Sequence, residues 1–243
     1  MKRLVLLLVF LMSASAFASS EGPPLDRAPI DPRDAASLQR GVRLFVNYCL
    51  NCHSADFMRY NRLEAFGLSP DEIRENLIFT DAKVGDLMKI ALRKSEGKAW
   101  FGAPPPDLTV IARSRGADWL YSYLRTFYRD DSTITGWNNL VFPNVGMPHV
   151  LWELQGQQVA KVEEVTDAHG QKVQHREIVS GTKGTMTPVE YDQAVADLVN
   201  YLVFMGEPTR AKRVQVGIIA LFLLGVLFIF AYMLKKEYWK DVH

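Results

Sequence analysis

The pentapeptide Cys49-Leu50-Asn51-Cys52-His53 constrains this chain more than any other feature. Two thiols three positions apart can each add across a vinyl group of one porphyrin. The histidine beside the second thiol then lies under the iron and supplies an imidazole nitrogen, which is the pattern of a covalent c-type haem site. The motif uses both cysteines of the chain, so none remains for a disulfide or a Cys₄ metal site. The competing reading is a thioredoxin-like dithiol followed by an unrelated histidine. That motif follows a strand in a βαβ pattern. Here Leu38, Val42, Phe45, Val46 and Cys49 recur at helical spacing and lead into the motif instead.

The two ends of the chain address it to a membrane. Lys2 and Arg3 precede an apolar run from Leu4 to Met12 and an Ala-x-Ala site ending at Ala18, which reads as a signal peptide over residues 1–18. The run is too short to span a bilayer. Near the other end, residues 214–234 carry no charge, and at about 1.5 Å per residue such a helix crosses a hydrocarbon core of about 30 Å. Lys235, Lys236 and Lys240 follow it and favour a cytoplasmic tail over residues 235–243, although Lys212 and Arg213 precede it. The signal peptide decides the orientation: residues 19–210 are expected outside the cytoplasm, in the periplasm of a bacterial cell, tethered to the inner membrane by one span. Haem c is attached after export, so the signal and the haem motif support each other.

Loss of Lys2 and Arg3 takes the basic count from 28 to 26 against 27 acidic residues. A chain so close to neutral gives no reason to expect a nucleic-acid partner. Any electrostatic docking must come from local patches, for which Asp130-Asp131 and Glu163-Glu164 are candidates. About 190 residues outside the membrane suffice for one domain with its own core, and the single haem motif predicts a single haem.

The body reads as mostly α with long loops. Thr187-Pro188-Val189-Glu190 is a helix start, with threonine as cap, proline in the first turn and glutamate completing a capping box. Val195, Leu198, Val199 and Leu202 form its apolar face, and it stops near Glu207-Pro208. Ser69-Pro70-Asp71-Glu72 is another start. An amphipathic helix is expected from Asp118 to Tyr128, with Trp119, Tyr123 and Phe127 on one side. Valines and Ile178 around Gly170 predict a small β-hairpin within residues 152–185. Pro104-Pro105-Pro106 forbids a regular helix in the Gly/Pro-rich stretch from Trp100 to Thr109. Gly41, inside the helix before the haem motif, costs about 1 kcal/mol against alanine; it either permits close approach of another helix or is merely tolerated.

An electron-carrying haem fills both axial positions, and methionine as the second ligand raises the potential. Met58, Met88, Met147, Met186, Met205 and Met233 are candidates, with His149, His169 and His175 as rivals. Met233 lies in the span, Met58 is too near the haem motif, and Met88 and Met205 sit on helical patterns that suit a core. Met147 lies in the turn-rich loop Phe142-Pro143-Asn144-Val145-Gly146-Met147-Pro148, which can present a thioether. The residues favour Met147 and leave Met186 open; His149 reads as a polar loop residue.

Taken together, these segments resemble the cytochrome c1 family of the ubiquinol–cytochrome c oxidoreductase (bc1) complex. The resemblance rests on Arg40-Gly41-Val42-Arg43 leading to the haem motif, on Pro105-Pro106-Asp107-Leu108 with Ala112-Arg113-Ser114-Arg115, and on Asp118-Trp119-Leu120. It continues through Val145-Gly146-Met147-Pro148, Gly184-Thr185-Met186-Thr187-Pro188 and the C-terminal span, and covers nearly the whole mature chain. It implies a class I-like c-type cytochrome domain plus one C-terminal transmembrane helix. It implies one covalent haem c on Cys49 and Cys52, with His53 and Met147 as the iron's axial ligands. Pro105 and Pro106 would lie against the porphyrin and Arg115 near a propionate, with Arg113 the weaker choice. The implied partners are cytochrome b, the Rieske iron–sulfur protein as donor, a periplasmic cytochrome c as acceptor, and membrane lipid. The subunit would move electrons without bond-making catalysis. A free-standing tethered cytochrome and a tethered thiol–disulfide oxidoreductase are the alternatives. Residues 68–100 are shorter than in the family's animal members and lack their long acidic insertions.

Overall fold

The computed structural model describes residues 24–166 and 172–241. The signal-peptide reading and His169 lie outside the described residues, as do the side chains of His175, Glu163 and Glu164. In chain order the elements are α1 (Ala35–Leu44), a π-helical turn (Phe45–Cys49), β1 (Ala55–Arg59), a 3₁₀ segment (Tyr60–Phe66), α2 (Pro70–Leu77), β2 (Leu87–Met88) and α3 (Lys94–Phe101). Then come α4 (Ile111–Arg115), α5 (Ala117–Arg125), β3 (Phe127–Arg129), β4 (Trp137–Asn139), α6 (Trp152–Gln155), β5 (Gly156–Thr166), β6 (Lys172–Lys183), α7 (Pro188–Gly206) and α8 (Arg210–Tyr238). About half of the described residues are helical, as the expected helical class requires, and they are joined by two small sheets where the sequence predicts only a hairpin.

The helix starts follow local chemistry. Asp34 caps α1 by accepting from the Ser37 N–H at 3.1 Å. Ser69 with Glu72 and Thr187 with Glu190 form the two capping boxes expected at α2 and α7, each with proline in the first turn. These caps satisfy N–H groups that a helix leaves without partners, each contributing about 1 kcal/mol.

Helices α1 and α7 pack directly on each other and form the centre of the core. A Cβ at Gly41 would meet the backbone of Asp197 and come within 2.8 Å of Tyr201 Cβ. Gly41 therefore permits backbone contact, the first of its two readings. Arg40 closes the crossing with a two-pronged ion pair to Asp197, Nε to Oδ2 at 2.6 Å and Nη2 to Oδ1 at 3.0 Å. Tyr201 stacks obliquely on Phe45 at 5.3 Å, and Phe204 meets Phe66 edge-on at 5.1 Å.

Two expectations are corrected, and the expected hairpin is found as part of a larger sheet. The helix expected from Asp118 to Tyr128 ends at Arg125, because Phe127–Arg129 pairs with Trp137–Asn139 as antiparallel strands. Sheet pairing at these buried aromatic positions overrides the helical period. The hairpin expected within 152–185 is present but is not isolated. Strand β5 joins β3 in parallel at Arg129↔Val159, giving the order β4-β3-β5-β6. Residues 100–109 are not wholly loop: α3 runs through Trp100 to Phe101 and stops at Gly102, whose φ of 80° favours glycine.

Helix α8 contains Lys212–Tyr238, long and apolar enough to cross a membrane and unburied by the rest of the chain. It extends past the expected end of the span and keeps the first residues of the tail helical.

Candidate haem-binding site

The site begins where α1 changes its winding. Over Phe45–Cys49 the helix widens into a π turn, and the Leu50 N–H bonds back to the Phe45 carbonyl at 2.9 Å. Such bulges interrupt a helix without ending it and recur at functional sites. Next, the N–H groups of Cys52 and His53 both donate to the Cys49 carbonyl, at 3.1 and 2.9 Å. The motif is thus one compact turn that gathers two thiols and an imidazole.

The proline segment is tied onto that turn. Leu108 N–H donates to the Ser54 carbonyl at 2.9 Å. Asp107 accepts from the Asp56 N–H at 2.6 Å, the Thr109 N–H at 2.9 Å and the Ser54 hydroxyl at 3.1 Å. Partial burial pushes the Asp107 carboxyl up, but these donors together outweigh it and hold the group below its usual range. The segment so placed brings the Pro106 carbonyl 2.7 Å from His53 Nδ1. That bond puts the proton on Nδ1 and leaves Nε2 with a free lone pair. Burial lowers the pKa of His53, favouring the neutral ring that binds metal.

A third segment, residues 140–148, is built by two side chains that sequence reasoning missed. Asn139 Oδ1 accepts from the N–H groups of Val141 at 2.9 Å and Phe142 at 3.0 Å, while its Nδ2 donates to the Tyr123 carbonyl at 2.7 Å. Asn138 Oδ1 accepts from Asn144 N–H at 2.8 Å. Asn144 itself adopts a left-handed φ of 60°. Gly146 passes the end of α3 so closely that a Cβ there would lie 2.6 Å from the Phe101 carbonyl oxygen. The adjacent Asn-Asn pair before a Pro/Gly loop was the available signal, since asparagine side chains mimic backbone turns.

These segments enclose one cavity of about 280 Å³, lined among others by Cys49, Cys52, His53, Pro105, Pro106, Arg115 and Met147. All seven residues singled out from the sequence therefore meet in one place. Its walls are almost wholly apolar, with Leu120, Leu124, Leu198 and Leu202 completing them from α5 and α7. Cys49 and Cys52 form no disulfide with each other, and before any haem is attached burial, reinforced by the nearby Cys52, pushes the Cys49 thiol up to about 12. A thiol held that high is a poor nucleophile for disulfide exchange. Two thiols, an imidazole nitrogen and a thioether around an apolar slot form a donor set that suits haem c.

Met147 is the methionine among the lining residues. Met58, Met88 and Met205 are buried in the core, and Met88 Sδ accepts from the Tyr201 hydroxyl at 3.6 Å. Met186 packs before α7, and Met233 is exposed on α8. Arg115 is at the cavity wall with its guanidinium 5.0 Å from the Trp119 ring and 5.7 Å from Phe142. Arg113 instead packs beside Gly206.

His149 corrects an expectation. It is in a loop, as expected, but it is buried there, stacked on Phe127 at 4.9 Å and edge-on to Trp137 at 5.2 Å. Its Nε2 is 2.7 Å from Gln155 Oε1, and burial pushes its pKa down to about 4. Of the acidic pairs, Asp130 is engaged inside its own loop, accepting from Ser132 and Asn138, while Asp131 is exposed beside Arg129.

Comparison with known proteins places this geometry in a family. The Cytochrome C1 family model matches residues 27–242. A cytochrome c1 from Allochromatium vinosum is 47% identical over the whole of both chains. A protein named ammonia monooxygenase gamma subunit, from Nitrosomonas europaea, is 53% identical over all of this chain and 99% of its own length. A cytochrome c1 from Rhodospirillum rubrum is 28% identical over 86% of this chain and 83% of its own.

Proposed function

Because this chain belongs to the cytochrome c1 family, we propose that Cys49 and Cys52 hold its haem c by thioether bonds while His53 and Met147 fill the two axial positions. Proteins of this family carry one covalently bound haem c and serve as the haem electron-transfer subunit of the bc1 complex. Membership implies cytochrome b and the Rieske iron–sulfur protein as companions. The observation that carries the assignment of residues is the convergence of two thiols, an imidazole and a thioether on one apolar cavity. The ammonia monooxygenase name of the Nitrosomonas protein brings no second reading, since the family match spans the same residues.

Bound haem c supplies a one-electron iron couple. The protein's own groups determine where that couple sits and how it is tuned. The His53 bond to the Pro106 carbonyl fixes the imidazole's tautomer and orientation. Pro105, Pro106 and the leucines exclude water, which lowers the local dielectric and so raises the cost of net charge there. Arg115, preset by its aromatic neighbours, offers positive charge to a propionate. Helix α8 anchors the domain in the membrane, leaving residues 19–210 as a periplasmic domain and the residues after 234 as the cytoplasmic tail. In that setting the chain takes its electron from the Rieske protein and passes it to a periplasmic cytochrome c.

A pyridine haemochrome spectrum of the purified chain tests the attachment. A covalent c-type band is expected, with a shift to longer wavelength on Cys52→Ser, which restores one vinyl group, and loss of covalent haem when Cys49 and Cys52 are both replaced by serine. A protein without that band would overturn the reading. For the axial position, Met147→Leu should retain covalent haem while losing the methionine–iron absorption band and lowering the potential.

A further inference from the structure

We infer that Tyr123 is a positioning residue for Met147: its hydroxyl donates to the thioether and thereby sets how strongly that sulfur can act as an axial ligand. The inference rests on the axial role proposed for Met147. The Tyr123 hydroxyl is 3.4 Å from Met147 Sδ, within hydrogen-bond range for sulfur. Both residues line the haem cavity, from α5 and from the loop after β4.

Three neighbours hold the phenol in place. Its ring stacks on Trp119 at 4.8 Å with 12° between planes. Phe127 meets it edge-on at 5.0 Å. Its backbone carbonyl accepts from Asn139, the residue that also shapes the Met147 loop. The hydroxyl therefore cannot swing away without unstacking the aromatic row of α5. Asn139 further couples the positions of donor and acceptor.

A thioether sulfur has two lone pairs and is a weak acceptor. With one lone pair directed at Tyr123, the other is left for the metal, so the bond selects an orientation of the Met147 side chain. The bond also draws electron density from sulfur. A less electron-rich sulfur stabilises ferric iron less than ferrous iron, so the hydrogen bond raises the potential. Removing the donor should lower it, and strengthening the donor should raise it further. A residue that merely fills space would not respond in opposite directions to those two changes.

The test uses the full-length holoprotein in detergent, with Tyr123→Phe and with 3-fluorotyrosine, a more acidic phenol, placed at position 123. Covalent haem content and unfolding are measured first, then the potential and the methionine–iron band. For Tyr123→Phe, a roughly threefold shift toward the ferric state is expected, about 28 mV at 59 mV per tenfold for a one-electron couple. The fluorinated protein should shift the opposite way. Unchanged potential and band in both, or shifts of the same sign, would overturn the inference. If Tyr123→Phe fails to fold, the fluorinated protein decides alone: a shift toward ferrous supports the inference, and none refutes it. A potential and band that both change in Met147→Leu but ignore both Tyr123 changes remove this inference only. A band that survives Met147→Leu removes the axial assignment and the inference with it.

Discussion

A Cβ on Gly41 would run into the main chain of Asp197, whose carbonyl carbon lies 2.8 Å from that point. The contact joins the helix that delivers the haem motif to the helix that backs the cavity. Gly41→Ala gains about 1 kcal/mol of helix propensity. It must also push two backbones apart, and overpacking of this kind costs about 1–3 kcal/mol or more. We expect net destabilisation and a reduced yield of holoprotein. Denaturant unfolding of the parent and the variant measures it, and equal midpoints would refute it.

Asn139→Ala strips three backbone groups of their partner at once: the N–H groups of Val141 and Phe142 and the carbonyl of Tyr123. Unsatisfied buried groups cost about 1–3 kcal/mol each, less where water can enter. The expected loss is about 2–4 kcal/mol, together with easier displacement of Met147 by added imidazole. Imidazole titration of the ferric protein reads the second effect. An unaltered titration curve would show that the loop holds Met147 without Asn139.

Arg115 and Arg113 separate cleanly. Arg115→Gln should lower the potential, by less than Met147→Leu does, because a partly solvated ion pair is worth about 1 kcal/mol at most. Arg113→Gln should leave the potential alone, since Arg113 packs against Gly206 rather than lining the cavity. The reverse pattern in redox titrations would move the propionate contact to Arg113.

His149 makes stability depend on pH. Its folded pKa is depressed to about 4 from 6.5 by burial. Above pH 6.5 both folded and unfolded rings are neutral and the contribution is complete. As pH falls from 6.5 toward 4, the unfolded ring binds a proton that the folded one refuses, so stability is lost over that window. The total is about 3 kcal/mol at 1.36 kcal/mol per unit. His149→Gln should flatten this part of the profile. Unfolding midpoints measured at pH 7, 6, 5 and 4 check it, and parallel profiles for parent and variant would remove His149 as the cause.

Helix α8 is exposed along its apolar length and lines no part of the haem cavity. Truncation after Arg210 should therefore release a water-soluble haem domain with an unchanged spectrum. The Arg213–Glu207 pair lost with it is largely exposed on the arginine side and worth about 1 kcal/mol or less. The fragment should fail to restore quinol oxidation in membranes lacking the parent, because it has lost its anchor. Haem loss from the fragment would show that the span helps fold the pocket.

Several features are determined by the sequence alone, because the groups involved lie within one turn of each other or along one continuous segment. The Cys49–His53 motif, the Ser69–Glu72 and Thr187–Glu190 capping boxes and the uncharged run before Leu234 all follow from local spacing. The choice of Met147 was half local: its loop could be recognised as a presenting loop, but only packing brought it to the cavity of the thiols. What tertiary structure alone decided are contacts between distant positions. Arg40 meets Asp197 across 157 residues, its neighbour Gly41 meets the same residue, and Tyr123 reaches Met147 across 24. The periodicity of α5 ran on through Phe127, yet strand pairing with Asn139 ended the helix two residues earlier. The physical reason is the same each time. A backbone cap is satisfied by a neighbour that the chain cannot avoid, whereas a side-chain partner on another element exists only once both elements are packed.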